Sequence, residues 1–292
     1  MTAWSEEADR LKGAWRLQLR VERVLHQEKT EHQDLLLFEN PLFGRVLALD
    51  GIVQTTERDE FFYHEMLVHV PVLAHGAVER ALIVGGGDGG ALEELLKHDR
   101  LRAATLVEID QAVIDFSKAH LQAICGQAFD DPRLELVIAD GLAWVAEQRG
   151  RRAPFDLILI DSTDPVGPGE VLFSESFYAD CAGLLAEGGL LVTQNAVPFT
   201  EPDSLAKPLA ALGRSFAATA CYRVAVPSFF GGDMVFAMAS QDAAALTVEA
   251  AALERRFAEA GIETRYYTPA VHQGAFALPP YVAALLEAWR PQ

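Results

Sequence analysis

Ala81-Leu82-Ile83-Val84-Gly85-Gly86-Gly87-Asp88-Gly89-Gly90 is the stretch on which the fold turns. Its four apolar residues read as a buried strand, and the glycines after them satisfy G-x-G-x-x-G where a helix opens. Glu108 follows about 20 residues on, at the distance where an acidic side chain accepts hydrogen bonds from ribose hydroxyls. The pair indicates a nucleoside-binding turn. It serves a nicotinamide dinucleotide and an adenosyl sulfonium equally.

Outward from this turn the chain alternates strand and helix. Apolar strands are expected at Thr105–Val107, Leu134–Ile138, Phe155–Ile160 and Leu190–Thr193, with helical stretches between most of them, as in a parallel, doubly wound α/β sheet. Thr219–Val226 and Met234–Ala239 are close enough to form an antiparallel hairpin at the sheet edge. Helices are expected over Val248–Ala260 and Pro280–Ala288, and the alanine-rich run Ala243 to Ala252 reads as helix propensity. Upstream the pattern is β. Trp15 to Val24 alternates, Leu35 to Phe38 is apolar, and Arg45–Leu49 and Ile52–Thr55 flank the hairpin dipeptide Asp50-Gly51. A helix from about Asp59 to His69, with Phe62, Met66 and Val70 on one face and Pro71 as its stop, closes this part. Residues 1–70 are thus expected to form a small β domain and residues 71–292 the α/β domain.

The 292 residues are half hydrophobic, enough for a sizeable core. Forty-two Asp and Glu against 24 Lys and Arg give a net charge of -18. Such a surface repels nucleic acid and anionic membranes and attracts small cations, although ordinary solubility explains it equally well. Cys125, Cys181 and Cys221 contain no Cys-x-x-Cys pair, which suits a reducing compartment and argues against a disulfide framework or a zinc site. Met1 to Arg10 is acidic and polar, unlike a secretory signal, and no apolar run reaches the roughly 20 residues that span a bilayer. A cytoplasmic protein is expected.

In open α/β sheets ligands bind outside the carboxyl ends of the strands. Each of the five parallel strands delivers a polar residue there: Asp88, Glu108, Asp140, Asp161 and Gln194. Four carboxylates brought together repel one another, and a cationic ligand relieves that. The alternative for each is a cap on the following helix. Asp88 is the discriminating residue. A helix N-terminus favours an anion, but a pyrophosphate or the carboxylate of S-adenosylmethionine has to approach Asp88, whereas an ammonium group is attracted to it. Decarboxylated S-adenosylmethionine has lost that carboxylate and kept the amine. The second informative run is Asp161-Ser162-Thr163-Asp164-Pro165, followed by Gly167-Pro168-Gly169. Its two carboxylates either converge on one amine or contact opposite sides of a substrate. Oxygen-only coordination of a divalent cation stays open there, without an accompanying His-rich cluster.

The sequence resembles the bacterial spermidine synthases of the polyamine aminopropyltransferase family. The resemblance is carried by His32-Gln33-Asp34, Gly44 to Gly51, Thr56 to Phe61, Tyr63-His64-Glu65-Met66, the glycine turn, Val107 to Asp110, Asp140-Gly141, the Asp161 to Pro168 loop and Gln194. It covers about Trp15 to Met238. It implies a small N-terminal β domain for oligomerisation and a methyltransferase-like Rossmann catalytic domain, assembled as a homodimer or homotetramer. It also implies transfer of an aminopropyl group from decarboxylated S-adenosylmethionine, a co-substrate, to putrescine or a similar diamine, with no cofactor and no metal. Gln33, Glu108, Asp140, Gly141 and Pro168 are expected at the adenosyl moiety. Asp88 and His64 are expected along the aminopropyl and polyamine channel, Tyr63, Asp164 and Gln194 at the diamine, and Asp161 as proton acceptor.

Three positions depart from the family pattern. Phe229, in Pro227-Ser228-Phe229-Phe230-Gly231-Gly232, replaces a tyrosine whose hydroxyl helps hold the diamine; either the lost hydrogen bond shifts the amine preference, or water or Gln194 compensates. Glu93 stands where an arginine is usual, altering helix-surface pairing or adding charge near the site. The tryptophan that lines the diamine channel in relatives corresponds to Trp4, to Trp15 or to neither. Competing readings are a methyltransferase, a nicotinamide-dependent dehydrogenase, which lacks a hydride-transfer His–Asp pair here, and a polyamine-binding protein without catalysis.

Overall fold

A computed structural model describes residues 3–5, 15–163, 171–195 and 197–288. Two short strands, β1 (Ala3–Ser5) and β2 (Gln18–Arg20), pair antiparallel. Strands β3 (Arg23–Lys29), β4 (Asp34–Asn40), β5 (Gly44–Leu49) and β6 (Ile52–Thr56) form an antiparallel sheet in sequential order. The expected hairpin joins β5 to β6. Asp50 and Gly51 both take positive φ, 47° and 75°, as a two-residue turn with the twist of the flanking strands requires. Both faces of this sheet are apolar. Leu35, Leu37, Leu47 and Leu49 look one way, and Phe38, Val46, Ala48 and Val53 look the other, onto Trp4 and Leu19.

Helix α1 (Glu60–His75) leads into the larger sheet. The chain continues as β7 (Arg80–Gly85), α2 (Gly90–Leu96), β8 (Ala103–Glu108), α3 (Gln111–His120), α4 (Gln122–Cys125), β9 (Leu134–Ile138), α5 (Gly141–Gln148) and β10 (Phe155–Asp161). It ends as α6 (Glu175–Ala182), β11 (Leu185–Asn195), α7 (Pro202–Ser215), β12 (Ala218–Val224), β13 (Met234–Ser240), α8 (Ala250–Ala260), α9 (Pro269–Ala275) and α10 (Pro280–Ala288). The sheet order is β12-β13-β11-β10-β7-β8-β9, with β11-β10-β7-β8-β9 parallel and β13 and β12 added antiparallel at one edge.

The side-chain alternation of the central strands explains why helices cover both faces. Ala81, Ile83, Leu157, Leu159, Leu190 and Val192 enter one core with Met66, Leu67 and Val70 of α1 and Leu92 of α2. Leu82, Val84, Ile158, Ile160 and Leu191 enter the other, with Val145 of α5, Phe177 of α6 and Leu212 of α7. The smaller sheet docks on this body through α3 and α4, where Val113, Phe116 and Ile124 meet the leucines of β4 and β5.

Two expectations are corrected. Pro71 does not stop α1, which runs on to His75 and ends at Gly76 in the left-handed region, its N–H bonded to Val72 O. An interior proline costs about 3 kcal/mol. Burial of Val70, Val72, Leu73 and Ala74 in the core outweighs it, at roughly 1.5–3 kcal/mol for each large apolar side chain. The helix expected from Ala243 to Ala252 is instead a 3₁₀ turn, Ala243–Leu246, capped by Asp242. The β-branched pair Thr247-Val248 separates it from α8, with Thr247 extended. The division expected after residue 70 falls inside α1; we propose that the β domain ends at Thr56. Among the described residues no helix is long and apolar enough to cross a membrane.

Candidate active site

The carboxyl ends of β7, β8, β10 and β11, the start of α1 and the edge of the β5–β6 hairpin enclose a cavity of about 620 Å³. Of the residues singled out from sequence, Gln33, Tyr63, His64, Asp88, Glu108, Asp140, Gly141, Asp161 and Gln194 all line it. Asp164 and Pro168 lie outside the described residues.

Asp161 ends β10, beside β7. The approach is possible because the facing residue is Gly85, at φ +83°, where a Cβ would stand 2.2 Å from the Asp161 carbonyl oxygen. That carbonyl accepts the N–H of Gly86 at 2.7 Å. The Asp161 carboxylate accepts the Tyr63 hydroxyl at 2.7 Å. Burial, and after it the charge of Asp88, push its carboxyl up to about 6, against the pull of His64 and the Tyr63 hydrogen bond.

Asp88 stands in the glycine turn, where its Oδ1 accepts Gly90 N at 3.0 Å. Its Oδ2 lies 3.4 Å from Nε2 of His64, whose other ring nitrogen meets Glu60 Oε2 at 2.8 Å. A Cβ on Gly90 would come within 2.2 Å of the His64 ring, so only glycine admits the imidazole there. Burial opposes a charge on His64, but Asp88 and Glu60 outweigh it and hold its pKa well above the ordinary range. Burial likewise opposes the charge on Asp88, and the His64 charge and hydrogen bond overcome it, holding Asp88 below its usual value. His64, Asp88 and Asp161 each present one ligand atom within 4.8 Å of the others. That spacing fits an ammonium group or a divalent cation. An imidazolium offers no lone pair to either cation, so Asp88 and Asp161 are the two groups of the trio able to hold one.

The opposite end of the cavity is built around β8 and β9. Glu108 accepts the N–H of Asp110 at 2.9 Å, and burial pushes its carboxyl up to about 7. Asp140 caps α5 by accepting Leu142 N at 2.9 Å and also faces the cavity. Gln33 reaches across from the smaller sheet, donating to Asp110 Oδ2 at 3.2 Å, and Asp110 in turn caps α3. Gln194 donates to the Ser162 carbonyl at 3.0 Å, which ties the end of β11 to the loop after β10.

The departing positions are placed as follows. The Phe229 ring lines the cavity edge-on to Tyr63, with centroids 6.3 Å apart. Its loop is held by Asp59, which accepts Ser228 N at 2.6 Å and Thr56 Oγ1 at 2.5 Å instead of capping α1. Glu93 pairs with Lys97 at 3.0 Å along α2. Trp4 is buried against Phe38 at 5.6 Å, whereas Trp15 packs on Phe230, a residue of the cavity wall, at 4.9 Å.

Sequence reading gave no role to Glu60 or Asp59. The i,i+4 spacing of Glu60 and His64 was the available signal. Among the described residues the cavity wall carries six carboxylates besides those of Asp50 and Glu201, namely Asp59, Glu60, Asp88, Glu108, Asp140 and Asp161, and neither lysine nor arginine.

Residues 60–249 match the spermine/spermidine synthase domain and residues 3–57 the spermidine synthase tetramerisation domain. A polyamine aminopropyltransferase from Ruegeria sp. (strain TM1040) is 50% identical over 282 residues, covering 97% of this chain and 98% of that protein. One from Serratia proteamaculans (strain 568) is 49% identical, covering 92% of this chain and 93% of that protein. Among solved structures, a spermidine synthase in complex with the transition state analogue AdoDATO superimposes with a TM-score of 0.90 at 35% identity, covering 98% of this chain and 95% of its own. The spermidine synthase from Thermotoga maritima gives 0.88 at 34% identity, with the same coverage.

Proposed function

The chain belongs to the spermine/spermidine synthase family, and on that premise we propose that it transfers the aminopropyl group of decarboxylated S-adenosylmethionine to putrescine, with Asp161 accepting the proton of the attacking amine. The products are spermidine and 5′-methylthioadenosine. The observation that carries this reading is the half-buried Asp161 carboxylate, hydrogen-bonded by Tyr63 at 2.7 Å, in a cavity wall rich in carboxylates.

The nitrogen lone pair of the diamine attacks the methylene carbon next to the sulfonium. The C–S bond breaks, its electron pair stays on sulfur as the neutral thioether, and the amine proton passes to Asp161. Sulfonium is a good leaving group, so the protein has to align two reactants and supply a deprotonated amine. Alignment contributes on the order of 7–11 kcal/mol. An alkyl ammonium, with a pKa of roughly 10.4, has to lose its proton near neutral pH, and a buried carboxylate adjusted towards neutrality is suited to take it.

The remaining roles are proposed on the family resemblance, supported for the described residues by their place in the wall of one cavity; Asp164 and Pro168 lie outside the described residues. Asp88 and His64 hold the aminopropyl arm, with the Asp88 carboxylate as the ammonium partner. Glu108 accepts from the ribose hydroxyls, and Gln33, Asp140 and Gly141 surround the adenosyl group together with Pro168. Tyr63, Gln194 and Asp164 hold the diamine. We further propose a homo-oligomer, a dimer or a tetramer, on the match of residues 3–57 to the tetramerisation domain. The three free, buried cysteines suit a reducing cytoplasm.

The test is product analysis by chromatography. Methylthioadenosine and spermidine are expected in equal amounts, and only when decarboxylated S-adenosylmethionine and putrescine are both present. Methyl transfer from S-adenosylmethionine itself, without aminopropyl transfer, overturns the proposal.

A further inference from the structure

Glu60 touches neither reactant in the scheme above, yet it sits on the far nitrogen of His64. Its side chain is only 9% exposed, and its Oε2 lies 2.8 Å from Nδ1. With Nε2 3.4 Å from Asp88 Oδ2, the three side chains form a carboxylate–imidazole–carboxylate chain from the first turn of α1 to the glycine turn. The i,i+4 spacing holds Glu60 and His64 on one face of the helix, and Gly90 lets the ring lie directly against α2. One carboxylate suffices to orient an imidazole. With a second carboxylate 3.4 Å from the other nitrogen, the doubly protonated ring is the form that suits both contacts.

The other groups around this chain are accounted for. Tyr63 meets the His64 ring edge-on at 5.2 Å, and its hydroxyl is directed to Asp161. Arg265 is 3.9 Å from Glu60 Oε1, but its side chain is 60% exposed and its guanidinium lies over the Phe61 ring. Glu93, next along α2, is paired with Lys97. The charge on His64 therefore depends on Glu60 and Asp88, and Asp161 feels the balance of that pair.

We propose that Glu60 is a positioning residue for the reaction: it keeps His64 doubly protonated against Asp88, so that the Asp88 charge is partly neutralised and Asp161 stays the ionised base. The proposal rests on the aminopropyl-transfer reading for the role of Asp161, and on the two carboxylate contacts of the ring for the state of His64. Without the Glu60 charge only Asp88 supports the imidazolium, and the ring gives up its second proton at a lower pH. The full Asp88 charge then falls on Asp161, and the lowering influence of an imidazolium is lost with it. Both changes favour protonated Asp161.

Glu60→Gln is nearly isosteric and keeps an acceptor for the Nδ1 proton while removing the charge. Two measurements test it. Imidazole NMR, with the His64 signal assigned by its loss in His64→Asn, is expected to show a ring that stays charged well above the ordinary histidine range in the wild type and titrates lower in Glu60→Gln, with or without bound methylthioadenosine. The acid limb of kcat/KM for the sulfonium substrate is expected to move up by about one pH unit, as loss of a neighbouring charge produces. Superimposable His64 titrations in the two proteins, or an unmoved acid limb, overturn the proposal. A merely structural role lowers activity at every pH without moving either titration. If the wild type performs no aminopropyl transfer, the functional reading fails, while the NMR titration still decides whether Glu60 sets the charge of His64.

Discussion

The Tyr63 hydroxyl donates a 2.7 Å hydrogen bond to Asp161 Oδ1, joining residues 98 apart in the chain. One comes from the first turns of α1 and the other from the end of β10, so the contact exists only when the entry helix is seated on the sheet. The Tyr63 ring is wedged between Phe236 of β13 and Phe229, at centroid distances of 5.2 and 6.3 Å. Asp161 is consequently fixed by the core that folds the domain. Its carboxylate has one strong donor, one carboxylate neighbour in Asp88 and an open side facing the cavity.

Asp161→Asn is the most direct test of the proton-acceptor role. The amide keeps the shape but accepts no proton, so kcat is expected to fall by at least 10²-fold, within the usual range for loss of a general base. Methylthioadenosine affinity, measured by calorimetry, is expected to stay within about threefold, because the proposed adenosyl contacts are at the β8–β9 end. Wild-type turnover in this variant removes Asp161 from the mechanism.

Tyr63→Phe separates the hydrogen bond from the base. Burial pushes Asp161 up to about 6, and under the proposed role its ionised form is the active one, so kcat/KM for the sulfonium substrate is expected to fall as the pH drops through that value. The Tyr63 hydrogen bond stabilises the ionised form. Its removal therefore shifts the acid limb to higher pH, by roughly one unit for a bond to a charged group in this setting. A limb that moves down, or stays, contradicts the assigned donor.

Much of this site was legible in the sequence because strand periodicity fixes which residue leaves the sheet at its carboxyl end. Asp88, Glu108, Asp140, Asp161 and Gln194 were found that way, and all five meet at one cavity. Asp140 does cap α5 through its Oδ1, and the same residue lines the cavity. Long-range pairings carried no comparable signal. That Gln33 would bond Asp110, or Asp59 the backbone of Ser228, depends on how the smaller sheet and the β12–β13 loop dock, and no local period encodes that. The continuation of α1 past Pro71 has the same origin. A local rule about proline lost to the tertiary burial of Val70 to Ala74. The resemblance to a known family, not spacing, supplied the proton-acceptor role.

Phe229→Tyr tests amine selection. The ring edge faces the cavity beside Tyr63, and a phenolic hydroxyl there adds one donor–acceptor to the diamine end. A net hydrogen bond of about 1 kcal/mol corresponds to about a fivefold lower KM for putrescine. A diamine one methylene longer is expected to gain less, because its distal nitrogen sits at a different depth. A steady-state panel of diamines on both proteins reads the ratio, and an unchanged ratio means that Phe229 does not select the amine.

Stability gives a final test that needs no substrate. An unfolded aspartate titrates near 3.8, whereas burial pushes Asp161 up to about 6 in the folded chain. The folded state therefore disfavours the charged form. Below the unfolded value both states are protonated, and Asp161 contributes no difference. As the pH rises from about 4 to 6 the unfolded chain ionises first, and the wild type loses stability relative to a variant that cannot ionise. Above the folded value the loss is complete, on the order of 3 kcal/mol. Asp161→Asn is thus expected to be more stable than the wild type at pH 8 by about that amount, with the difference shrinking towards zero near pH 4, in urea unfolding followed by fluorescence. A variant less stable than the wild type at pH 8 shows that the cavity favours the carboxylate outright, and the burial argument for a base adjusted towards neutrality fails with it.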